Sequence, residues 1–185
     1  MHQGNMTIAS YITLLRILLV IPIIIFSSYD NSFFKYLSFW LFLFAGFTDY
    51  LDGYIARKTN TVTELGALLD LLADKLLVSI VLIWLLFLEN TIILIIPILI
   101  IVARELIIST LRQFSYERNK KIGVSLLGKS KTTIHFISIS LIIISPEFGH
   151  YFWVFSVTCL WLAATISIFS LFKYLDEGIK KLRLW

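Results

Sequence analysis

The sequence predicts an all-α integral membrane protein: six transmembrane helices, a short N-terminal interfacial segment, and both termini in the cytoplasm. Three observations carry that prediction. Hydrophobic residues make up 58% and charged residues 15% of the 185 positions, with a mean hydropathy of +0.88, well above the roughly 45–50% apolar share of a soluble domain. Apolar runs of near-membrane length recur along the chain between short polar breaks. Lysine and arginine gather at every second break, which is the topology signal of a multi-pass protein.

The first run, MHQGNMTIASYITLLRILLVIPIIIF, carries Arg16 as its one lysine or arginine and lacks a small-residue cleavage site, so it reads as a retained anchor. Thr7 to Tyr11 are expected at the interface before the first span. The turn-forming Ser27 to Ser32 stretch ends that span. A second span covers Phe33 to Arg57, a third about Glu64 to Leu88, and Asn90 breaks the run. The fourth goes from about Thr91 to Phe114 and is followed by the polar stretch YERNKKIGVSLLGKSK. The fifth, about Thr132 to Ser145, is short unless its start at Gly128 is counted. Pro146 to His150 turn the chain into a sixth span from Tyr151 to Phe172.

With the termini inside, the inner segments hold Arg57, Lys58, Arg118, Lys120, Lys121, Lys129, Lys131, Lys173, Lys180, Lys181 and Arg183, against Lys35 outside. That asymmetry orients the chain. The net charge of +4 and the basic tail KYLDEGIKKLRLW suit anionic lipid headgroups, and nucleic acid is not an expected partner. Cys159 is the lone cysteine, which excludes an intramolecular disulfide and a cysteine metal site. With no linker or internal repeat, residues 1–185 read as one membrane domain.

The chemistry gathers between Asp49 and Asp74, in DYLDGYIARKTNTVTELGALLDLLAD. A charge at mid-membrane costs about 2.5–3.5 kcal/mol on the insertion scale, so four aspartates there require counter-charge. Asp49 and Asp52 are three apart, and Gly66, Asp70 and Asp74 are spaced by four, so each set lies along one helix face. If the second and third spans are antiparallel neighbours, Asp52 and Asp70 lie roughly 8 and 9 Å inside their helix ends, and Asp49 and Asp74 roughly 12 and 15 Å. Oxygen donors without histidine or cysteine suit Mg²⁺ or Mn²⁺, and two ions would neutralise most of the cluster. Gly53, Ala56 and Gly66 leave room for close approach of backbone or phosphate.

Asp49-x-x-Asp52-Gly53-x-x-Ala56-Arg57, eight residues, then Gly66-x-x-x-Asp70-x-x-x-Asp74 resembles the full signature of the CDP-alcohol phosphatidyltransferase family. The resemblance implies a diphosphate-linked lipid donor, CDP-diacylglycerol. It further implies that Asp49, Asp52, Asp70 and Asp74 ligate the metals, with Asp74 also the general base on the acceptor hydroxyl. Asp49, Asp52, Gly53, Ala56, Arg57 and Gly66 would bind the donor. The family generally forms homodimers, so one is expected. Ala9 and Leu71 stand where many members have proline, which bears on the N-terminal entry angle and on a bend in the third span.

The acceptor is read from the next two spans. Arg104, Ile108 and Arg112 are four apart on one helical face, and Lys129 and Lys131 open the fifth span. Two arginines and two lysines suit a phosphate dianion that aspartates alone would repel. These stretches resemble those of the bacterial phosphatidylglycerophosphate synthases, members of the family that use glycerol 3-phosphate. The implied site lies at the cytoplasmic face of a bacterial inner membrane. Arg112 and Lys129 rank ahead of Arg104 and Lys131, because Arg104 with Glu105 also fits a structural ion pair.

Three other groups have plainer readings. Arg16 reads as snorkelling to the headgroups as readily as reaching a donor phosphate, and it stays outside the expected site. His135 reads as a hydrogen-bonded packing residue; Tyr29, Trp153 and Trp185 read as interfacial anchors. Two competing functions remain: the same family with phosphatidylglycerol or inositol phosphate as acceptor, and a divalent-cation transporter, for which the basic residues would raise the barrier to a cation.

Overall fold

The computed structural model describes residues 8–59, 64–89, 91–117 and 126–182, and within those helices the side chains of residues 8–12, 49–59, 64–71, 74, 112, 114–117, 126–132 and 177–182 lie outside the description. The described chain forms six helices: α1 (Ile8–Ser27), α2 (Ser32–Thr59), α3 (Glu64–Glu89), α4 (Ile92–Glu117), α5 (Leu126–Ile144) and α6 (His150–Leu182), with a 3₁₀ turn at Ser145–Glu147 before the last. Ile8 to Tyr11 form the opening turn of α1 itself rather than a separate element. With leucine at 71, α3 continues as helix through the position where a proline bend was in question.

The helix ends have local causes. Ser27 and Ser28 hydroxyls bond the Ile24 carbonyl as α1 finishes. Asn31 caps α2, its Oδ1 accepting the Phe33 N–H at 2.9 Å. Pro146 supplies a preset φ to the 3₁₀ turn. Gly149, at φ +80°, then makes the left-handed step that a side chain would oppose, and its carbonyl accepts the Trp153 N–H.

Contacts between helices fix their directions. Ser38 of α2 donates to the Ile23 carbonyl of α1 across the tight turn between them, so these two are antiparallel. Trp84 of α3 donates to Ser27 of α1 at 3.1 Å, and Ile24 and Ile80 share a groove beside them, so α3 runs with α1. Glu89 at the end of α3 accepts from Trp153 near the start of α6 at 2.8 Å; Trp153 is therefore a tie between helices as well as an aromatic near a span end. Arg104 meets Ser170, and Ile108 meets Tyr174, so α4 runs with α6. Ser138 and Ser156 tie α5 and α6 in opposite sense. Lys35 near the start of α2 reaches Glu147 after α5. Successive helices therefore alternate in direction.

One apolar core joins α1 through α6, with Ile23, Phe42, Leu77, Leu82, Leu94, Ile98, Ile139 and Leu160 at 1% exposure or less. The outside is also apolar: Leu18, Trp40, Phe87, Ile92, Leu162 and Phe169 all stand more than half exposed. In water that surface would be a large aggregation-prone patch; in hydrocarbon it is the solvent-facing side. Among the described residues two helical stretches, Ile92–Leu111 and His150–Asp176, are long and apolar enough to cross a membrane, and three shorter apolar ones accompany them. The described residues are helical throughout apart from their connecting turns, and this exterior is that of a membrane protein.

Candidate active site

Each helix that carries a candidate residue shows which of its faces is buried. On α2 the buried positions are Ser38, Phe42, Ala45 and Thr48. At 100° per residue, positions 49, 52, 53 and 56 continue that stripe toward the helix end. On α3 the buried stripe is Ala73, Leu77, Val81 and Leu85, while Leu72, Leu76, Ile83 and Phe87 face outward. Positions 66, 70 and 74 fall on the buried stripe. Both acidic sets thus stand at positions in register with the buried stripes of their helices, the register in which ionisable residues belong in a membrane bundle.

Because the helices alternate, all the candidate positions share one end of the bundle. Positions 49–57 lie in the second half of α2, 66–74 in the first half of α3, 104 and 112 in the second half of α4, and 129 and 131 at the start of α5. The opposite end holds the Asp30–Lys35–Glu147 ion pairs and the Glu89–Trp153 bond. Helices α2 and α3 both pack on α1 and both pack on α5. Those shared neighbours are the described packing that relates the two acidic faces.

On α4 the buried stripe Leu94, Ile98, Ile101, Arg104 and Ile108 leads in register to position 112. The Arg104 side chain is buried, and its guanidinium donates to Glu105 Oε1 at 3.0 Å and to Ser170 Oγ of α6 at 2.8 Å. The structural pair considered for Arg104 and Glu105 is present. On α5, His135 lies within 2.7 Å of Ser167 Oγ, one turn from Ser170 on α6. It is the hydrogen-bonded packing residue its isolation suggested. Position 131 is one turn before His135 on the same face, whereas position 129 lies two turns before Phe136, on the side turned toward α2.

Some of what matters here was not read as site from the sequence. Gly46 packs against Phe136 so closely that a Cβ there would sit 2.6 Å from the ring, which joins α2 to α5 one turn before Asp49. Arg16 is 1% exposed, so it does not snorkel. The spacing of Thr13, Arg16, Val20 and Ile23, all buried, is an inward helical stripe that would have placed it inside. Ser167 and Ser170, also buried, carried no sequence signal beyond being polar in an apolar span.

Residues 6–169 match the profile of CDP-alcohol phosphatidyltransferases. The chain belongs to that family. It is similar over most of its length to curated bacterial proteins named CDP-diacylglycerol–glycerol-3-phosphate 3-phosphatidyltransferase. The Rickettsia felis protein is 39% identical over 168 residues, covering 89% of this chain and 91% of that one. The Haemophilus influenzae protein is 35% identical over 171 residues, with 90% of each chain covered. The Yersinia enterocolitica protein is 33% identical over 181 residues, covering 96% and 98%.

The side chains of Asp49, Asp52, Asp70 and Asp74 lie outside the described residues, as do those of Gly53, Ala56, Arg57, Gly66, Arg112, Lys129 and Lys131. Among the described residues no group of three or more His, Cys, Asp or Glu is gathered as a metal site. The donor chemistry of four aspartates, hard carboxylate oxygens at positions toward one end of the bundle, fits a hard divalent cation.

Proposed function

We propose that this chain transfers the phosphatidyl group of CDP-diacylglycerol to glycerol 3-phosphate, giving phosphatidylglycerol phosphate and CMP. The observation that carries the reading is one of register and direction: the acidic and basic positions lie toward the same end of alternating helices, in register with the buried stripes of α2, α3 and α4. The names of relatives aligned over nine-tenths of the chain support the same donor and acceptor. A diphosphate lipid needs this layout, since its acyl chains stay in hydrocarbon while its phosphates sit at the headgroup plane.

In this reading residues 1–185 form a single domain of six spans with both termini and the site at the cytoplasmic face of the inner membrane, and two chains associate as a homodimer. Asp49, Asp52, Asp70 and Asp74 hold two divalent ions, Mg²⁺ or Mn²⁺, in keeping with a family that generally depends on divalent metal. Bound there, the ions supply Lewis acidity to the donor diphosphate. Gly53, Ala56 and Gly66 keep the walls low where the CDP moiety lies against α2 and α3. Arg57 offers the diphosphate a planar fork of donors.

Asp74 takes the proton from the sn-1 hydroxyl of the acceptor as that oxygen attacks the lipid-bearing phosphorus, and CMP leaves with the bonding electron pair. Arg112, Lys129 and Lys131 bind the acceptor phosphate as charge-assisted donors. Arg104 closes the basic face from below, fixed by Glu105 and Ser170. An acceptor that completes the site also displaces water, which limits hydrolysis of the donor.

The test is CMP release by purified protein in detergent with CDP-diacylglycerol and either metal, across glycerol 3-phosphate, glycerol, inositol phosphate and phosphatidylglycerol. Release that requires both metal and glycerol 3-phosphate is expected. Release with another acceptor instead would overturn the roles of Arg112 and Lys129; metal flux in proteoliposomes without any CMP release would replace the enzyme with a transporter.

A further inference from the structure

Tyr174 carries a hydroxyl that the folded chain does not use. The residue is buried on α6, while Lys173 and Asp176 beside it are exposed, and its Oη is enclosed without a hydrogen-bond partner. A buried tyrosine hydroxyl ordinarily finds one, because leaving the bond unmade gives up what water supplied. The ring packs with Ile108, Leu111 and Leu171 in a small apolar cluster apart from the main core. Phenylalanine would fill that cluster equally well. The hydroxyl therefore calls for a polar group that comes from outside the chain.

Direct contacts fix where it stands. Arg104 of α4 meets Ser170 of α6, and His135 of α5 meets Ser167 of α6. These pairs form a polar layer across three helices. One turn toward the site end, Ser170 leads to Tyr174 and Arg104 leads to Ile108, and those two pack together. The same step on α5 leads from His135 to position 131, and a further turn on α4 reaches position 112. No proline interrupts α4 or α6 over these turns. Tyr174 thus stands between the polar layer and the basic positions, on a helix from which the proposed reaction takes no binding residue.

The setting selects the ligand. A hydroxyl donor among arginine and lysine positions suits an anion whose oxygens accept several hydrogen bonds, as those of a phosphate do. The donor diphosphate in the proposed reaction belongs with α2 and α3, whereas Tyr174 packs on α4. We propose that Tyr174 binds the acceptor, its Oη donating a hydrogen bond to a phosphate oxygen of glycerol 3-phosphate. The proposal rests on the functional reading above and adds to it a residue of α6.

Tyr174→Phe removes the hydroxyl and keeps the ring. In detergent with saturating CDP-diacylglycerol and metal, the KM for glycerol 3-phosphate is expected to rise about 10-fold, the scale of one hydrogen bond to a charged group. The kcat and the donor KM should change little, since the bond is made equally in the ground and transition states. Inorganic phosphate, which carries the anion without the glycerol, should weaken by the same factor as a competitive inhibitor. Without ligand the variant should melt no lower than the parent, because no bond within the protein is lost. An unchanged glycerol 3-phosphate KM would overturn the proposal and leave the hydroxyl to an ordered water. A raised donor KM would assign it to CDP-diacylglycerol instead, and equal phosphate inhibition of both proteins would move the contact to the glycerol hydroxyls. A lower melting temperature with unchanged kinetics would mark a structural bond. A parent that releases no CMP with glycerol 3-phosphate would overturn the functional reading and this proposal with it, whereas a normal parent beside an unaffected variant overturns this proposal alone.

Discussion

Adding one methyl group at Gly46 tests whether α2 is locked to α5 beside the acidic stripe. A Cβ at position 46 would sit 2.6 Å from Phe136 Cε1, 2.8 Å from Cδ1 and 3.3 Å from Cζ. The first two separations are too short for carbon atoms, so the ring or a backbone has to move. The ring has little freedom, because it packs against the fully buried Phe42 with centroids 5.1 Å apart. Overpacking of this kind costs about 1–3 kcal/mol. Replacing a helical glycine by alanine returns about 1 kcal/mol of helix propensity. The clash outweighs that gain, and Gly46→Ala should melt a few degrees below the parent in detergent, at about 2–4 °C per kcal/mol for a chain of this size. Turnover should fall further than stability, since α2 carries Asp49 one turn beyond the contact. Trimming the ring in Gly46→Ala/Phe136→Leu should recover part of both losses. An alanine variant that melts above the parent, as an uncrowded helical glycine would give, refutes the reasoning.

Asp70→Asn should abolish metal-dependent CMP release while the protein keeps its elution volume and helical circular dichroism; release at the parent's rate would remove Asp70 from the site. Ser170→Ala should cost about 2 kcal/mol, the scale of a hydrogen bond to a charged group, and Arg104→Met about 3 kcal/mol because it removes that bond together with the ion pair to the half-buried Glu105; thermal unfolding should rank them in that order. Trp153→Phe should lose about 1 kcal/mol with the bond to Glu89, read from the same melts. The hydrogen bond from Lys35, then its charge, holds the Asp30 carboxyl below its ordinary range. A depressed folded-state pKa stabilises above the unfolded value near 4, and the contribution disappears as pH falls through the folded value. Asp30 is fully exposed, so Asp30→Asn should change the neutral-pH melting temperature little. Lys35→Met, which also removes the half-buried Glu147 contact, should lower it more.

The helices were legible from hydropathy, because each apolar run ends where a polar turn has a local cause, such as the Asn31 cap or the Pro146–Gly149 turn. Hydropathy failed where a helix outlasts its apolar part. The start of α5 at Leu126 and the end of α6 at Leu182 lie in stretches rich in lysine and serine, where backbone hydrogen bonding continues after burial in lipid has ceased. The acidic motif was legible because charge is rare and costly in a membrane span. Gly46 was not, since its role exists only once α5 brings Phe136 beside it. Arg16 was misread for a related reason: depth along a helix is visible in sequence, whereas the facing helix that encloses a side chain is not.

Burial on α2 and α3 bears on mechanism as well as on fold. If the aspartates served only to satisfy neighbouring cations, nothing would require their positions to share the register of the buried stripes with positions 53, 56 and 66. Along that register the sequence passes from large buried side chains, at Phe42 and Leu77, to glycine, alanine and aspartate. A polar layer, Arg104 with Ser170 and His135 with Ser167, is held one turn apart on α6. In the proposed reading that layer is the floor beneath the basic positions, and low bulk beside carboxylates is what a site for two phosphate groups requires. That is why the acceptor in this reading carries a phosphate of its own.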